Sequence, residues 1–503
     1  MIYIYLTNLF NAIVCSCLIE KHLHIFQLKD YNTYRYFNFL KKKPLNLLIF
    51  LPFSILFLIN YLFFNNNLII NINLNLLIIF INTITANNLI DSSKTPIKYT
   101  ARLKRLYSIS VVLIFLFHII PCGVLISIII LPLTTVIANA INLYDKIKNR
   151  RYIQQAVQKL RLSKTKVIAI TGSNGKTSVK NILHSLLQTK YKVQATPKSY
   201  NTELGIAMFI NENLQEDSEY LILEYGARHK NDIKKLCKLY GADYGIITCV
   251  NPQHMETFKT IDTVYETKST LSTYLSANMC VYNLDNIHTS KMHETKIGNK
   301  LGVSILNKSD IYASDVRILD NKTNFTLHYE ESDYSIYTNL LGRHNVTNIL
   351  LATAMALYLK VELCDIINQI QYLQSTPHRL ELIKSHINIL DDSYNCSTES
   401  ANEALWVLEQ MSGKHMVATP GIIEGGKSQY NINYGLGRKL ATCDTVIIIG
   451  KTNYTALSEG LNSVNYGGAL IHANSLEQAK THFNKLKKGD TLLLLNDLPD
   501  DYD

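Results

Sequence analysis

Val167–Ile182 reads VIAITGSNGKTSVKNI: an apolar strand that runs into a glycine-bracketed loop and then into a helical pattern. The loop is Gly172-Ser173-Asn174-Gly175-Lys176-Thr177. Backbone N–H groups in such a turn, backed by a helix N-terminus, form a cradle for phosphate oxygens. Lys176 brings a positive charge to the outer phosphates and the Thr177 hydroxyl is a ligand for Mg²⁺, with Thr171 and Ser178 flanking the cradle. The full G-x-x-x-x-G-K-[ST] form would place glycine where this chain has Ile170, so the loop is a shortened variant.

From Thr165 onward, short apolar strands alternate with helical segments, which predicts an α/β fold on a largely parallel sheet. Candidate strands are Val167–Thr171, Leu221–Glu224, Gly245–Val250 and Met279–Asn283. Ligands of open α/β sheets sit beyond the carboxyl ends of the strands, so the polar residues there come first. Glu224 ends LILE, where a carboxylate can hold Mg²⁺ against phosphates, and Tyr225-Gly226-Ala227-Arg228 follows it. His254 follows the third strand, and Lys268 lies about four helical turns further on. Singly, these are a solvated glutamate, a loop histidine and a surface lysine. In this order, they predict a nucleotide and metal site. A second alternation covers Ile387–Asp391, Met416–Thr419, Thr445–Gly450 and Asp490–Asn496, while Gly425-Gly426-Lys427 reads as an ordinary glycine turn.

The 503 residues suffice for two or three domains, and the 18% charged and 47% hydrophobic shares are unevenly spread. Apolar runs at about 1–19, 46–64, 68–86, 107–121 and 122–142 predict an all-α transmembrane region of about five spans over 1–145. Basic residues crowd the loops between the first and second runs, between the third and fourth, and after the fifth. By the positive-inside rule, this predicts a multi-pass protein of the cytoplasmic membrane, with everything after 145 facing the cytoplasm and membrane lipid as a partner. The net charge of +10 is explained by these flanks, so no nucleic-acid partner is expected. Nine cysteines with no C-x-x-C pair argue against a disulfide framework and a zinc site.

The G-x-x-G-K-T loop with its preceding threonine, Glu224, His254 and Lys268, together with four later motifs, resembles the Mur ligase family of ATP-dependent amide ligases. The later motifs are Asn283-Leu-Asp-Asn286, Gly342-Arg343-His344-Asn345-Val346-Thr347-Asn348, Arg379 in TPHRLE, and Asp391-Asp392-Ser393-Tyr394-Asn395. The resemblance covers about residues 160–503. It implies a P-loop central domain at 165–375, a Rossmann-like C-terminal domain at 376–503 that closes over ATP, and a linker at 146–164. It also implies Mg²⁺ on Thr177, Glu224 and His254, a carbamate on Lys268, Asn345 and Asn348 beside the adenine, Arg379 at the terminal phosphate and Asp391 on the ribose. Asn201-Thr202-Glu203-Leu204-Gly205, Glu224–Arg228 and the closing Leu495-Asn496-Asp497-Leu498-Pro499-Asp500 are similar to the branch that adds D-alanyl-D-alanine to a muramoyl tripeptide. On that branch Asn201, Thr202 and Arg228 bind the peptidoglycan-precursor carboxylate or the D-alanyl-D-alanine-like amine, and Tyr394 and Asn395 lie near the incoming dipeptide or the nucleotide. That branch opens with a domain gripping a uridine nucleotide, where this chain carries apolar runs, so a lipid-linked precursor is an alternative. Ligases resembling folylpolyglutamate synthase or cyanophycin synthetase are further alternatives. A P-loop ATPase driving membrane transport, from another class, would need an apolar run ending in Asp-Glu and a Ser-Gly-Gly-Gln-like signature, and neither is present. A catalytically dead membrane scaffold that merely keeps the fold is opposed by the intact Lys176, Glu224, His254 and Lys268.

Overall fold

A computed structural model describes residues 16, 19–20, 22–28, 31, 33–42, 97, 99–118, 123–197, 200–253, 255–394, 397–423 and 428–496. The chain divides after Arg150 into two compact units.

In the first unit, the helices Thr33–Lys42 and Ala101–His118 and the start of Gly123–Leu162 are described. The aromatic rings of Phe26 and Tyr36 meet edge-on, 5.1 Å between centroids, and His22 Nδ1 lies 2.9 Å from the Tyr36 hydroxyl. Among the described residues, no helix is long and apolar enough to cross a membrane, which overturns the expected all-α transmembrane region. The multi-pass membrane location and the lipid partner inferred from it fall too. The reason is visible in Ala101–His118, whose first five residues include Arg102, Lys104 and Arg105. The uncharged remainder, from Leu106 on, is about 20 Å long, short of a hydrocarbon core of roughly 30 Å. Arg102 and Arg105 both pair with Asp145, at 3.7 and 2.9 Å, so basic residues taken for topology signals have protein partners. The run at 1–19, apart from residues 16 and 19, and those at 46–64 and 68–86 lie outside the described residues. The stretch expected as a linker is helical as far as Leu162.

The second unit carries two sheets, in keeping with the α/β expectation. Strand β1 (Lys166–Thr171) is buried at every position after Lys166, as a strand covered on both faces must be. Its alternate side chains serve two cores. Ile168 and Ile170 pack on one face with Val179, Ile182, Leu183 and Leu186 of the helix Lys176–Leu187. Val167 and Ala169 pack on the other with Ile206 and Ile210 of Glu203–Asn213 and with Leu271 and Leu275 of Ile261–Leu275. The remaining strands are β2 (Val193–Ala195), β3 (Tyr220–Glu224), β4 (Tyr244–Ile247), β5 (Cys280–Asn283), β6 (Lys300–Ser304), β7 (Ile311–Leu319), β8 (Lys322–Tyr329) and β9 (Ser332–Thr338). Their order is β2-β3-β1-β4-β5-β6-β7-β8-β9, parallel as far as β7 and antiparallel beyond it.

β1 therefore lies between β3 and β4, with Ile170 opposite Glu224 and Thr171 opposite Ile247. The chain leaves β1 toward one edge and returns on the other side for β4, which makes this carboxyl end a topological switch point. The second sheet orders β10 (Glu381–Lys384), β11 (Asn388–Asp392), β15 (Thr491–Leu495), β12 (His415–Thr419), β13 (Thr445–Ile449) and β14 (Ala469–Ala473), and only β10 is antiparallel.

Candidate active site

The loop between β1 and Lys176–Leu187 is built on two glycines that nothing else can replace. A Cβ on Gly172, at φ 152°, would lie 1.9 Å from Thr248 Oγ1, and one on Gly175, at φ 80°, would lie 2.6 Å from Asn348 Oδ1. The segment that follows β4 holds the loop in place. Ser173 N donates to Cys249 O at 2.8 Å, Ser173 Oγ to Asn251 O at 2.9 Å, and Asn174 N to Cys249 Sγ at 3.3 Å. Gly172→Ala is expected to lose nucleotide binding and to lower Tm by several degrees, since the loop must move away from Thr248. Unchanged nucleotide affinity in a fluorescence titration would show that the loop tolerates the side chain.

Lys176 Nζ donates back to Gly172 O at 2.7 Å and Ser173 O at 2.8 Å, and burial holds its pKa below the usual lysine value. Thr177 Oγ1 donates to Glu224 Oε2 at 2.8 Å, and Asn201 Nδ2 donates to Glu224 Oε1 at 3.0 Å. Glu224 is buried, and the carboxylate is thus aimed by one group from the loop and one from the segment before Glu203–Asn213. Lys180, one turn beyond Lys176, is fully buried with its Nζ 3.9 Å from Glu224 Oε2. Sequence reasoning passed over Lys180, although a lysine four residues after the loop lysine lies on the same helix face.

Lys268 emerges from Ile261–Leu275, a helix capped by Thr260, whose side chain accepts from Thr263 N. It is 3% exposed. Burial pushes its pKa down to about 7; the charge of Lys176 adds to the fall and Cys249 opposes it. With its pKa at about 7, a substantial fraction of the amine is neutral, and so nucleophilic, at neutral pH. His254 lies outside the described residues, as does Asn395.

A cleft of about 490 Å³ opens on this array, lined by the loop from Ser173 to Thr177, by Asn201, Thr202, Glu224 and Arg228, and across from them by Arg379 and Tyr394. The Arg379 guanidinium lies 4.5 Å from the centre of the Tyr394 ring. His378 and Leu380 on either side of Arg379 have φ of 61° and 49°, left-handed values that L-residues adopt at a cost. Thr202 lines the cleft while capping Glu203–Asn213, accepting from Gly205 N at 3.2 Å. Asp391 accepts from Ser393 N and Oγ through Oδ1, and Oδ2 lies 2.7 Å from His378 Nδ1. Burial raises the pKa of its neighbour Asp392 to about 7.

A second cleft, about 420 Å³, lies on the other side of Asn174 and Gly175. Thr248, Cys249, Asn283, Asn286, Leu306, Arg343, His344 and Asn348 line it, with Glu399, Ser400 and Glu403 opposite. Asn345 is not among the lining residues; its Nδ2 donates to Leu341 O at 2.8 Å, and its Oδ1 accepts from Asn348 at 3.3 Å, so it braces Asn348. The wall from Glu399 to Glu403 escaped sequence reasoning because nothing in the local pattern says which helix of one lobe faces the loop of the other.

Residues 170–356 match the family model described as the Mur ligase middle domain. Over 336 residues, 65% of this chain and 72% of the relative, the chain is 30% identical to the UDP-N-acetylmuramoyl-tripeptide--D-alanyl-D-alanine ligase of Buchnera aphidicola subsp. Baizongia pistaciae. It is 29% identical to the enzyme of that name from Bacillus subtilis over 296 residues, 57% of this chain and 63% of the relative. A crystal structure of MurF from Acinetobacter baumannii superposes with a TM-score of 0.62 at 26% identity, covering 69% of this chain and 77% of that one.

Proposed function

The chain belongs to the Mur ligase family, and from that premise we propose that it is the ATP-dependent ligase joining D-alanyl-D-alanine to a UDP-N-acetylmuramoyl tripeptide in peptidoglycan precursor synthesis. One observation carries the reading: a phosphate loop and a carboxylate aimed by the loop's own threonine meet at the switch point of one sheet, and the loop's Lys176 helps to lower the pKa of the buried Lys268. The proposed ATP-binding domain is 165–375, and 376–503 closes over it.

ATP and Mg²⁺ fit these residues. Gly172 and Gly175 leave a cradle that a Cβ would fill. Thr177 and Glu224 are hard oxygen donors, and among the described residues no cluster of three or more His, Cys, Asp or Glu could hold a metal by itself. Thr177 and Glu224 would hold a hard divalent cation such as Mg²⁺ here, and it would supply neutralisation of phosphate charge.

In the first step, a carboxylate oxygen of the tripeptide attacks the terminal phosphorus of ATP. The bond to the bridging oxygen breaks, and ADP leaves. Lys176, and Arg379 from the opposite wall, offset the charge on the transferring group. The dipeptide amine then attacks the acyl carbon; phosphate leaves with the bonding pair, and the nitrogen gives up a proton to form the amide. Asn201 orients Glu224, Thr202 and Arg228 border the acceptor side, and Tyr394 stacks on Arg379. Asp391 and Asn348 belong to the nucleoside side, with Asn345 behind Asn348.

ADP release by the full chain, given ATP, Mg²⁺, UDP-muramoyl tripeptide and D-alanyl-D-alanine, tests this when each is omitted in turn. Turnover requiring both peptides is expected. Turnover with neither, or with a different acid and amine alone, would sink the assignment. Thr177→Val keeps the buried volume but removes the hydroxyl that meets Glu224, so kcat is expected to fall roughly a hundredfold and the Mg²⁺ requirement to rise. Wild-type kinetics in that variant would take Thr177 out of the metal site.

A further inference from the structure

The helix Thr398–Glu409 has two working faces. Ala401, Ala404, Leu405 and Leu408 are buried in the core of the second sheet. Glu399 and Glu403, spaced i and i+4, share the opposite face, and Trp406, at i+7, follows them while also packing on that core. That face meets the N-terminus of Arg343–Tyr358, a helix with no cap of its own: Gly342 precedes it at φ 96°, no side chain caps it, and its first turn holds no acidic residue. Glu403 supplies what is missing from across the lobes. Its Oε2 accepts from Arg343 N at 3.1 Å and its Oε1 from Arg343 Nη2 at 2.9 Å, while the guanidinium lies 4.5 Å from the centre of a Trp406 ring. A carboxylate at the positive end of a helix, bonded at once to a backbone amide and a guanidinium, is held by several additive terms.

The clasp sits on a functional wall. The helix end that Glu403 grips carries His344, Thr347 and Asn348 into the second cleft, and Glu399, Ser400 and Glu403 form the facing side, with Asn174 and Gly175 of the phosphate loop between them. We propose that Glu403 is a positioning residue for nucleotide binding. Through Arg343, it holds the helix Thr398–Glu409 against the second cleft, so that lobe closure and occupancy of that cleft by the nucleoside part of ATP stabilise each other. The proposal rests on reading that cleft as the nucleoside side of the ATP site. Glu403 does not touch the reacting atoms; it acts on KM for ATP through the width of the cleft.

The test is steady-state kinetics of the full chain with ATP varied at saturating peptides, together with displacement of a fluorescent ATP analogue. Glu403→Ala is expected to raise KM for ATP and the analogue's Kd together, by about fivefold, the worth of a partly exposed ion pair with an added amide bond. The kcat at saturating ATP should stay within about twofold, since the reacting atoms are untouched. Glu403→Asp should recover part of the affinity. Arg343→Ala combined with Glu403→Ala should be no worse than either alone, because the two act as one contact. A residue needed only for folding would lower kcat with the active fraction and leave KM where it was. Unchanged KM in Glu403→Ala, or effects of the two substitutions that add in full, overturns the clasp. A wild-type chain that releases ADP while Glu403→Ala keeps its KM fails the clasp alone. A wild-type chain that neither binds the analogue nor turns over removes the clasp and the ligase reading together.

Discussion

Lys268→Ala is expected to lose turnover by roughly a thousandfold while leaving ATP binding largely intact, and a small carboxylic acid in the assay should restore part of the rate. The lysine is 3% exposed, and burial together with the nearby Lys176 charge brings its pKa down to about 7. Only the neutral amine adds to CO₂, forming an N–C bond and releasing a proton. The resulting carbamate is an anion where the bare side chain offered a cation. Carbamate formation therefore weakens as pH falls through 7, where the amine takes up its proton, and is favoured above it. Wild-type activity at low CO₂ should drop between pH 8 and pH 6 and be regained on adding bicarbonate, and ¹³CO₂ should give a carbamate resonance absent from the alanine variant. If Lys268→Ala turned over normally, or the activity ignored CO₂ across that range, Lys268 would be a structural lysine with no part in the reaction.

The legible parts of this chain were those where chemistry is local in sequence. VIAIT could only be a strand buried on both faces, and the glycines at 172 and 175 could only mark a turn where backbone meets a ligand, because a Cβ there has nowhere to go. Glu224 was legible because it ends such a strand. Contacts across the lobes were not. Glu403 meeting Arg343 depends on how two helices sixty residues apart come together, and neither residue carries a local mark of it. Lys180 was hidden for another reason: a lysine in a helix reads as solvated surface, and here it is buried against a carboxylate. Spacing along the helix did not reveal that Asn348 lines the second cleft while Asn345 bonds to Leu341 O behind it. The apolar run at 107–121 was overread because a hydropathy window counts length and apolar content. It does not see that Arg102 and Arg105 already have Asp145, or that a helix opening with three cations leaves too short an apolar stretch to cross a bilayer.

Arg379→Ala is expected to cost turnover by roughly a thousandfold, in the range seen when a transition-state guanidinium is removed from a phosphoryl transfer. Its placement is the argument. The side chain lines the first cleft together with Lys176, its guanidinium is 4.5 Å from the Tyr394 ring centre, and the two residues beside it sit at φ of 61° and 49°. Left-handed backbone at two non-glycine positions costs about 1–2 kcal/mol each. The surrounding bonds offset it: Tyr394 N donates to His378 O, Leu380 N to Asp392 Oδ1 and His378 N to Glu381 Oε2. A backbone held in that state at a cleft wall fixes where the guanidinium points. Lysine at 379 should recover little, because a point charge on a flexible stem neither stacks on the ring nor offers the planar fork. Tyr394→Phe keeps the ring and should stay within about threefold of wild type, since the stacking needs the face and not the hydroxyl. The loss in Arg379→Ala should appear in kcat, with KM for ATP moved far less, as befits a charge that matters most while the phosphoryl group is in transit. Retention of more than a tenth of wild-type kcat in that variant would assign the charge compensation to Lys176 and the metal alone, and leave Arg379 a residue that shapes the cleft.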